Sequence, residues 1–385
     1  MTHSQKRTIL FAALALVAAA LAFWIVKVTA ASTAGTPAVS AGSADTSTSD
    51  STAASTLSAA SAEFVFSDSG IAVTGSSSGT EISGTALTID EAGTYTVSGA
   101  CADGSIKIKK GTTGVTLILN GLDLTSSATA PITCGKSSGV AILAADGTEN
   151  VLTDSAQNND GEYPENTDAE NAVIKCKDGS TVTLCGAGSL TVNANGKNGI
   201  KSGGATDEAG KASLTIEELT LTINAAVNDA INAEQTLNIP SGTLTIAAAD
   251  DAIHADYELN VGADGTDGPS ITITDCCEGL EAATLNIFSG NIDITATDDC
   301  LNAANSDLSG YDFTMNISGG TIRAYTSGGD GFDSNGDLTI SGGTVIVWTA
   351  SAADNQPLDA DGTITVTGGT VLAAGGSSGM GINLS

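Results

Sequence analysis

The most regular feature of the chain is a pair of short segments in which apolar and polar residues alternate, joined by a tight turn. The two segments start seven residues apart in six copies: SLTIEELTLTI at 213–223, TLNIPSGTLTI at 236–246, TLNIFSGNIDI at 284–294, TMNISGGTIRA at 314–324, DLTISGGTVIV at 337–347 and TITVTGGTVLA at 363–373. Alternation with period two places the apolar residues on one face of a strand, whereas a helix needs them three and four positions apart. The pattern therefore predicts two β-strands per repeat.

A third short segment follows each pair and consists of an Asp/Asn-rich turn with one apolar anchor residue after it. Four weaker copies of this segment precede the six pairs, which brings the number of anchors to ten. They are Ile106, Ile132, Ile174, Ile200, Ile231, Ile253, Leu280, Leu301, Phe332 and Leu358. Successive anchors are 26, 42, 26, 31, 22, 27, 21, 31 and 26 residues apart. Three strands per turn of this length are typical of a β-helix coil, which buries its apolar face only by stacking on the next coil. We predict an all-β fold, a single-stranded right-handed parallel β-helix (solenoid) of about ten coils. Insertions at 155–170, 203–211, 262–269 and 304–311 are expected to form loops at the turns.

The N-terminal residues differ in kind from the repeats. Residues 1–7 carry two cations, and an apolar run from Thr8 to Val26 follows, closed by Lys27. Residues 1–30 are therefore predicted to form a signal peptide or signal-anchor helix. Residues 31–61 are rich in Ser, Thr and Ala, which indicates a disordered tether, and residues 62–385 form the β-helix domain. The folded part is therefore expected to be extracellular, either secreted or anchored to the outer face of the cell membrane. Membrane contact is expected only through the N-terminal apolar segment, and the oligomeric state is left open.

The charge of the chain limits its partners. Lys and Arg number 13 against 44 Asp and Glu, which gives a formal net charge of −31, and Arg323 is the only arginine after residue 30. A chain so poor in cations cannot neutralise phosphates by counterion release, so nucleic-acid binding is excluded. An acidic polymer could bind only through bridging cations.

Stacking aligns equivalent positions of successive coils. The position two before the later anchors is mostly acidic, and the position three before them carries Asn228, Asp250, Cys277, Asp298 and Asn355. Carboxylates this close raise one another's pKa unless a cation or hydrogen-bond donors intervene, and Ca²⁺ accepts oxygen ligands in irregular geometry. The alternative is that these side chains satisfy backbone N–H groups of tight turns. The candidate Ca²⁺ ligands are Asp229, Asp250, Asp251, Glu278, Asp298, Asp299 and Asp330.

The position directly after each anchor is also polar, and alternation points it outward. This strip lacks aromatic residues for stacking on sugars, and a solvated sheet face is the alternative interpretation. A polar strip along the rod is nevertheless able to follow a linear sugar polymer. The candidate carbohydrate-binding residues are Asn232, His254, Glu281, Asn302, Asp333 and Asp359.

Two cysteines occupy equivalent positions on consecutive coils. Cys134 and Cys176 each lie two residues after an anchor. Stacked Cα atoms about 4.8 Å apart are within disulfide range, so this pair is the disulfide candidate. The alternative is a stack of unbonded thiols, which behave as small apolar side chains.

Several strings near the start of the repeats resemble a known family. They are GTYTVSGACADGSIKI at 93–108, GVTLILNGLDLTSSATAPI at 114–132, ADGTENVLTD at 145–154, and the acidic loop that ends in ENAVIK. They resemble the bacterial family of extracellular carbohydrate-binding-domain proteins first described from a cellulolytic clostridium. The resemblance implies a pectate-lyase-like right-handed β-helix, bound Ca²⁺, and non-catalytic binding of plant cell-wall polysaccharide, both acidic pectin and cellulose. Cys277 and the residues at 356–360 depart from the family pattern.

Two other functions stay open at this point. A Ca²⁺-dependent polysaccharide lyase needs a cationic base beside the metal, and a β-helix glycosidase needs paired acids from different coils. A structural adhesin without a sugar ligand suits the tether and the rod equally well.

Overall fold

Parallel strands that stack from coil to coil make up nearly all of the fold. The computed structural model describes residues 62–204, 213–350 and 355–376, and these ranges contain 31 strands and no helix. The predicted signal segment (1–30) and tether (31–61) lie outside the described residues. Within the described ranges, a helix long and apolar enough to cross a bilayer is absent.

The first column of stacked strands carries the predicted anchors. It contains β4 (Ala86–Ile89), β6 (Ser105–Ile108), β8 (Ile132–Cys134), β11 (Ala172–Cys176), β14 (Asn198–Ser202), β17 (Ile231–Ala233), the first part of β20 (Ile253–Val261) and of β22 (Leu280–Ile287), β24 (Leu301–Ala303) and β27 (Phe332–Ser334). The nine anchors from Ile106 to Phe332 form an unbroken series in which each one pairs in parallel register with the one before it. Leu358 is buried in the coil that follows, where the Phe332 N–H donates to the Pro357 carbonyl at 3.2 Å. The predicted repeat and its register are confirmed.

The second column contains the first strand of each x-L-x-I pair. It consists of the first parts of β5 (Gly93–Cys101) and β7 (Val115–Ser126), then β9 (Gly139–Ala144), β12 (Thr181–Cys185), β15 (Ser213–Glu217), β18 (Thr236–Ile239), the ends of β20 and β22, β25 (Thr314–Ile317), β28 (Asp337–Ile340) and β30 (Ile364–Val366). An asparagine ladder follows its outward face, because Asn260 donates to Asn238 and Asn286 donates to Asn260, each at 3.0 Å.

The third column contains the second strand of each pair. It consists of the ends of β5 and β7, then β10 (Glu149–Asp154), β13 (Ser189–Ala194), β16 (Thr220–Ala225), β19 (Thr243–Ala248), β21 (Ser270–Asp275), β23 (Asn291–Ala296), β26 (Thr321–Thr326), β29 (Thr344–Thr349) and β31 (Thr370–Ala374). Three columns of parallel strands define a parallel β-solenoid. Its right-handed sense stays a prediction, supported by the strong preference of parallel crossovers for that hand.

Two antiparallel hairpins precede the regular coils. β1 (Ala62–Ser67) pairs with β2 (Gly70–Gly75), and β3 (Thr80–Ser83) pairs with β4. β1 also pairs in parallel with β5, and Leu87 of β4 pairs with Ile106, so both hairpins join the stack. Short hairpins at an edge limit the backbone groups that are open to further strand pairing.

The core lies inside the coils and is built by the alternation that the sequence shows. Inward positions are Leu, Ile, Val and Ala, and the large rings Phe64, Phe66 and Phe332 are almost fully buried. The predicted insertions lie between strands at 155–171, 262–269 and 304–313, whereas the one at 203–211 falls mostly outside the described residues. Each described insertion bulges at a turn and leaves the stack in register.

The cysteine pair stacks as predicted but is not bonded. Cys176 pairs in register with Cys134, and both are buried. All seven cysteines lie within the described residues and are free thiols, so the structure favours the unbonded alternative over the disulfide.

Candidate functional site

The turns before the anchors from Ile200 to Phe332 are held by a continuous backbone ladder. The N–H of the residue before an anchor donates to the carbonyl two positions before the next anchor. Examples are the Ala252 N–H to the Glu278 carbonyl and the Gly279 N–H to the Asp299 carbonyl, both at 2.9 Å. Because this ladder repeats, the acidic side chains of successive coils lie one above another, as the sequence predicts.

The side chains after the anchors reach back to these acidic side chains. Asn232 Nδ2 donates to Asp229 Oδ2 at 2.6 Å, and Asn302 Nδ2 donates to Glu278 Oε2 at 2.9 Å. The metal and carbohydrate candidates therefore converge on one surface rather than forming two. We call this surface the acidic edge and define it as Asp229, Asn232, Asp251, His254, Glu278, Glu281, Asp299, Asn302, Asp330, Asp333 and Asp359.

His254 is held by carboxylates on three sides. Its Nδ1 lies 2.5 Å from Glu281 Oε2 and 3.5 Å from Asp251 Oδ2, and its Nε2 lies 3.0 Å from Asp256 Oδ1. Burial alone lowers the pKa of an imidazole, but the hydrogen bonds that the ring donates to the three carboxylates outweigh it and raise the pKa of His254 to about 12. The ring is therefore a fixed cation within the acidic edge.

The protonation of His254 is directly measurable. The chain has two histidines, so NMR of the ring C–H signals distinguishes His254 from His3 with one His254→Gln control. We expect the His254 ring to stay protonated from about pH 5 to about pH 9, because its pKa is raised to about 12. Titration of this ring near the ordinary histidine value of about 6.5 would contradict the ion-pair cluster.

The buried carboxylates of the acidic edge are harder to ionise than usual. Burial is the main cause, and neighbouring carboxylates add to it at Asp229, whose pKa rises to about 6, and at Asp333, whose pKa also rises to about 6. Burial likewise raises the pKa of Asp299 to about 7 and that of Glu278 to about 8. Asn302 partly offsets the effect at Glu278 by donating to it. The acidic edge therefore brings together carboxyl groups that ionise at a higher pH than usual, and the ring of His254 is ion-paired among them.

Close groups of possible ligand atoms occur at two places in the described residues. Asp330, Asp333 and Asp359 form one group, and Asp251, His254 and Glu281 form the other, with the ligand atoms in each within 4.8 Å of one another. The first group is all oxygen, which suits a hard cation. The second already contains the imidazolium that balances its carboxylates.

Asp250 and Asp298, which the sequence also marks as ligands, belong to neither group. Both are exposed, and Cys277 lies between them in the same backbone ladder. Burial raises the pKa of the Cys277 thiol to about 11, so a neutral thiol separates the two carboxylates. The position three before the anchors is therefore not a continuous acidic row.

Two amide oxygens on the acidic edge are buried without a hydrogen-bond partner among the described residues. They are Asn232 Oδ1 and Asn302 Oδ1, whose amide nitrogens are the donors to Asp229 and Glu278. A buried acceptor without a donor is costly. Amide and carboxylate oxygens together are the ligand set that Ca²⁺ prefers, so the residues present fit calcium.

Sequence reasoning missed two residues of this surface. Asp256, the third partner of His254, lies outside the aligned columns and carries no repeat signal. Lys175 pairs in register with Lys201, and burial, followed by the charge of Lys201, lowers the pKa of Lys175. Extending the outward column two coils toward the N-terminus, from Asn232 past Lys201, would have identified Lys175, since it directly follows the anchor Ile174.

A polar, acidic surface thus follows the anchor column of a parallel β-solenoid. The chain belongs to the family described as carbohydrate-binding domain-containing protein, whose model matches residues 83–379. The resemblance seen in the opening strings is thereby confirmed.

One relative and one solved structure are similar to this chain. A carbohydrate-binding domain-containing protein of Acetivibrio thermocellus is 39% identical over 123 residues, which cover 32% of this chain and 42% of that relative. The match thus spans less than half of the relative's length. The solved structure of the polysaccharide lyase-like protein from C. thermocellum, a gadolinium derivative, shares 24% identity at a TM-score of 0.41 and covers 84% of this chain and 96% of that one.

Proposed function

We propose that this protein binds plant cell-wall polysaccharide outside the cell without cleaving it, and that Ca²⁺ on the acidic edge supports the binding of acidic polymers such as polygalacturonate. The observation that carries the proposal is the all-oxygen group of Asp330, Asp333 and Asp359, on the same edge as two unpartnered amide oxygens. The N-terminal apolar run and tether support the extracellular location.

Asp330, Asp333 and Asp359 would hold one Ca²⁺, and the carboxylates beside Asn232 and Asn302 would hold others. The bound ion supplies positive charge at an edge where carboxylates otherwise repel each other and any anionic ligand. Asn232 and Asn302 hold Asp229 and Glu278 in place through their amide nitrogens, while the outward column offers hydrogen-bonding groups along the rod.

The net charge of the chain affects acidic and neutral polymers differently. A net charge of −31 opposes a uronate polymer in the absence of cations, so its binding must depend on Ca²⁺. A neutral polymer carries no such requirement.

Retention on insoluble polygalacturonate tests the proposal. We expect the full chain to be retained in Ca²⁺ and released by chelator. The double substitution Asp330→Asn/Asp333→Asn should weaken retention by about tenfold, equivalent to about 1.4 kcal/mol. The matched control Asp264→Asn/Asp267→Asn removes the same charge from an exposed loop and should behave as the unmodified chain. Equal retention with and without Ca²⁺ would refute the metal-dependent mode.

One observation favours a second function, a polysaccharide lyase. Lys175 lies in the outward column, and its lowered pKa makes the neutral amine more available as a base for abstracting the proton beside a uronate carboxylate. Arg323 belongs to the third column instead, where its guanidinium donates hydrogen bonds to Asn291 and Asp293. Incubation with polygalacturonate and Ca²⁺ distinguishes the functions, because unsaturated, ultraviolet-absorbing ends that disappear in Lys175→Ala would establish the lyase.

A further inference from the structure

The outward side of the third column forms a flat polar face that the acidic edge does not include. Its first outward position is a hydroxyl or amide in eight successive strands, each paired in register with the next: Ser189, Thr220, Thr243, Ser270, Asn291, Thr321, Thr344 and Thr370. Stacked strands place these groups about 4.8 Å apart. The result is a straight row of hydrogen-bonding groups along the rod.

The same face ends in an apolar platform on β26, β29 and β31. Tyr325 pairs with Trp348, and Ile346 pairs with Leu372. Trp348 is 43% exposed and Leu372 is 59% exposed, which is unusual for side chains of this size. The Tyr325 and Trp348 ring centroids are 5.7 Å apart at an interplanar angle of 35°, so the two rings pack against each other on this face.

Carboxylates are absent from the nine outward positions of β26, β29 and β31. These positions are Thr321, Arg323, Tyr325, Thr344, Ile346, Trp348, Thr370, Leu372 and Ala374. The nearest acid on the preceding strand, Asp293, is paired with Arg323 at 3.4 Å. On a chain with a net charge of −31, this face carries no unpaired acidic group at these positions and needs no bridging cation.

The size and composition of the platform argue against a second copy of the chain as its partner. A stable protein interface buries about 800 Å² on each side, whereas a patch of nine side chains, several of them small, covers only on the order of 400 Å². The platform also continues into hydroxyl and amide groups rather than into further apolar surface. Toward the N-terminal end, the face continues as a groove of about 610 Å³ lined by Thr153, Asn193 and Asn224, among others.

We propose that the third-column face is a second binding surface, which takes a neutral, linear polysaccharide lying along the rod. A pyranose ring presents C–H groups on its faces and hydroxyls around its edge. The C–H faces pack on Trp348 and Tyr325, the amphipathic rings best suited to such contacts, and the hydroxyls bond to the Thr row. The strand spacing is similar to the length of one sugar unit, so successive rungs meet successive sugars.

This inference rests on the proposed carbohydrate-binding function, and it assigns the neutral polymer to a surface that does not use Ca²⁺. The acidic edge and the third-column face are separate columns of the solenoid, so their ligands bind independently.

Retention of the full chain on insoluble cellulose, in chelator, tests the assignment. We expect the unmodified chain to be retained, and Tyr325→Ala/Trp348→Ala to lose about tenfold in affinity, since the variant removes both aromatic rings of the platform. The matched control Val73→Ala/Ile82→Ala truncates two exposed apolar side chains in the N-terminal hairpins and should bind as the unmodified chain does.

The polygalacturonate assay separates this inference from the proposed function. Tyr325→Ala/Trp348→Ala should keep Ca²⁺-dependent retention on polygalacturonate, which also shows that the variant folds. Trp348→Phe, which keeps a ring, should recover most of the cellulose binding. Unchanged cellulose retention in the double variant, release of cellulose-bound chain by chelator, or no retention of the unmodified chain would each overturn the inference.

Discussion

Replacing Leu280 with Ala should lower the free energy of unfolding by about 2–5 kcal/mol. Leu280 is fully buried, and it pairs in register with Ile253 before it and Leu301 after it. Truncation leaves a cavity shared by three coils, and a stacked repeat protein transmits this loss to both neighbouring interfaces. Denaturant unfolding followed by circular dichroism gives the change.

The matched control for Leu280 is Leu372→Ala, the same substitution on the outward side of β31. Leu372 is 59% exposed, so its truncation removes little buried surface and should change stability by less than about 0.5 kcal/mol. Equal losses for the two variants would contradict the division into an inward core and an outward face.

In chelator, the protein should become less stable as pH rises from about 5 to about 8. Burial raises the pKa of Asp229 and Asp333 to about 6, of Asp299 to about 7 and of Glu278 to about 8, above the ordinary values of 3.8 for Asp and 4.5 for Glu. The folded chain therefore holds more protons than the unfolded chain in this range. The stabilising contribution is complete below the unfolded pKa values and is lost as pH passes through the folded ones.

The imidazolium of His254 changes stability in the same direction. Its folded pKa of about 12 lies above the ordinary 6.5, so its contribution is complete below about pH 6.5 and declines above it, up to about pH 12. Thermal unfolding at pH 5 and pH 8 in chelator measures the combined effect. A higher midpoint at pH 8 would contradict the raised pKa values.

Calcium should reverse this loss, because it replaces the missing protons at the acidic edge. At free Ca²⁺ about 100 times the dissociation constant, the free energy of unfolding should rise by about 2.7 kcal/mol. The increase should be larger at pH 8 than at pH 5, since protons compete for the same oxygens. Asp330→Asn/Asp333→Asn should reduce the increase, while Asp264→Asn/Asp267→Asn should not.

The stacking could be predicted from sequence because one physical rule determines it. A coil cannot bury its apolar face alone, so anchors such as Ile200 and Ile231 must align however long the turns between them are. The family strings near residues 93–154 added the carbohydrate-binding assignment, which spacing alone does not contain. The two N-terminal hairpins were not predicted, since β2 and β3 carry no anchor and follow no repeat.

The site was less predictable because it depends on where side chains turn after leaving the backbone. Period-two alternation separates Asp229 from Asn232 by position, yet the turn between them brings both side chains to one surface. Asp256 lies two residues after His254 on the same strand, but the register with the next coil shifts between Ala255 and Glu258, so Asp256 has no equivalent in the aligned columns. Tyr325 and Trp348 are 23 positions apart in the sequence, and only the coil length makes them neighbours.

Because each coil contacts only its neighbours, the length of this molecule is an adjustable property. Duplicating one unit, for example the residues from Thr321 to Gly343, would extend the rod by about 4.8 Å and copy one row of outward side chains without repacking the remainder. Such a step needs no new fold and no new core. The length of the rod, and with it the number of outward side chains in each column, can therefore change during evolution in steps of one coil.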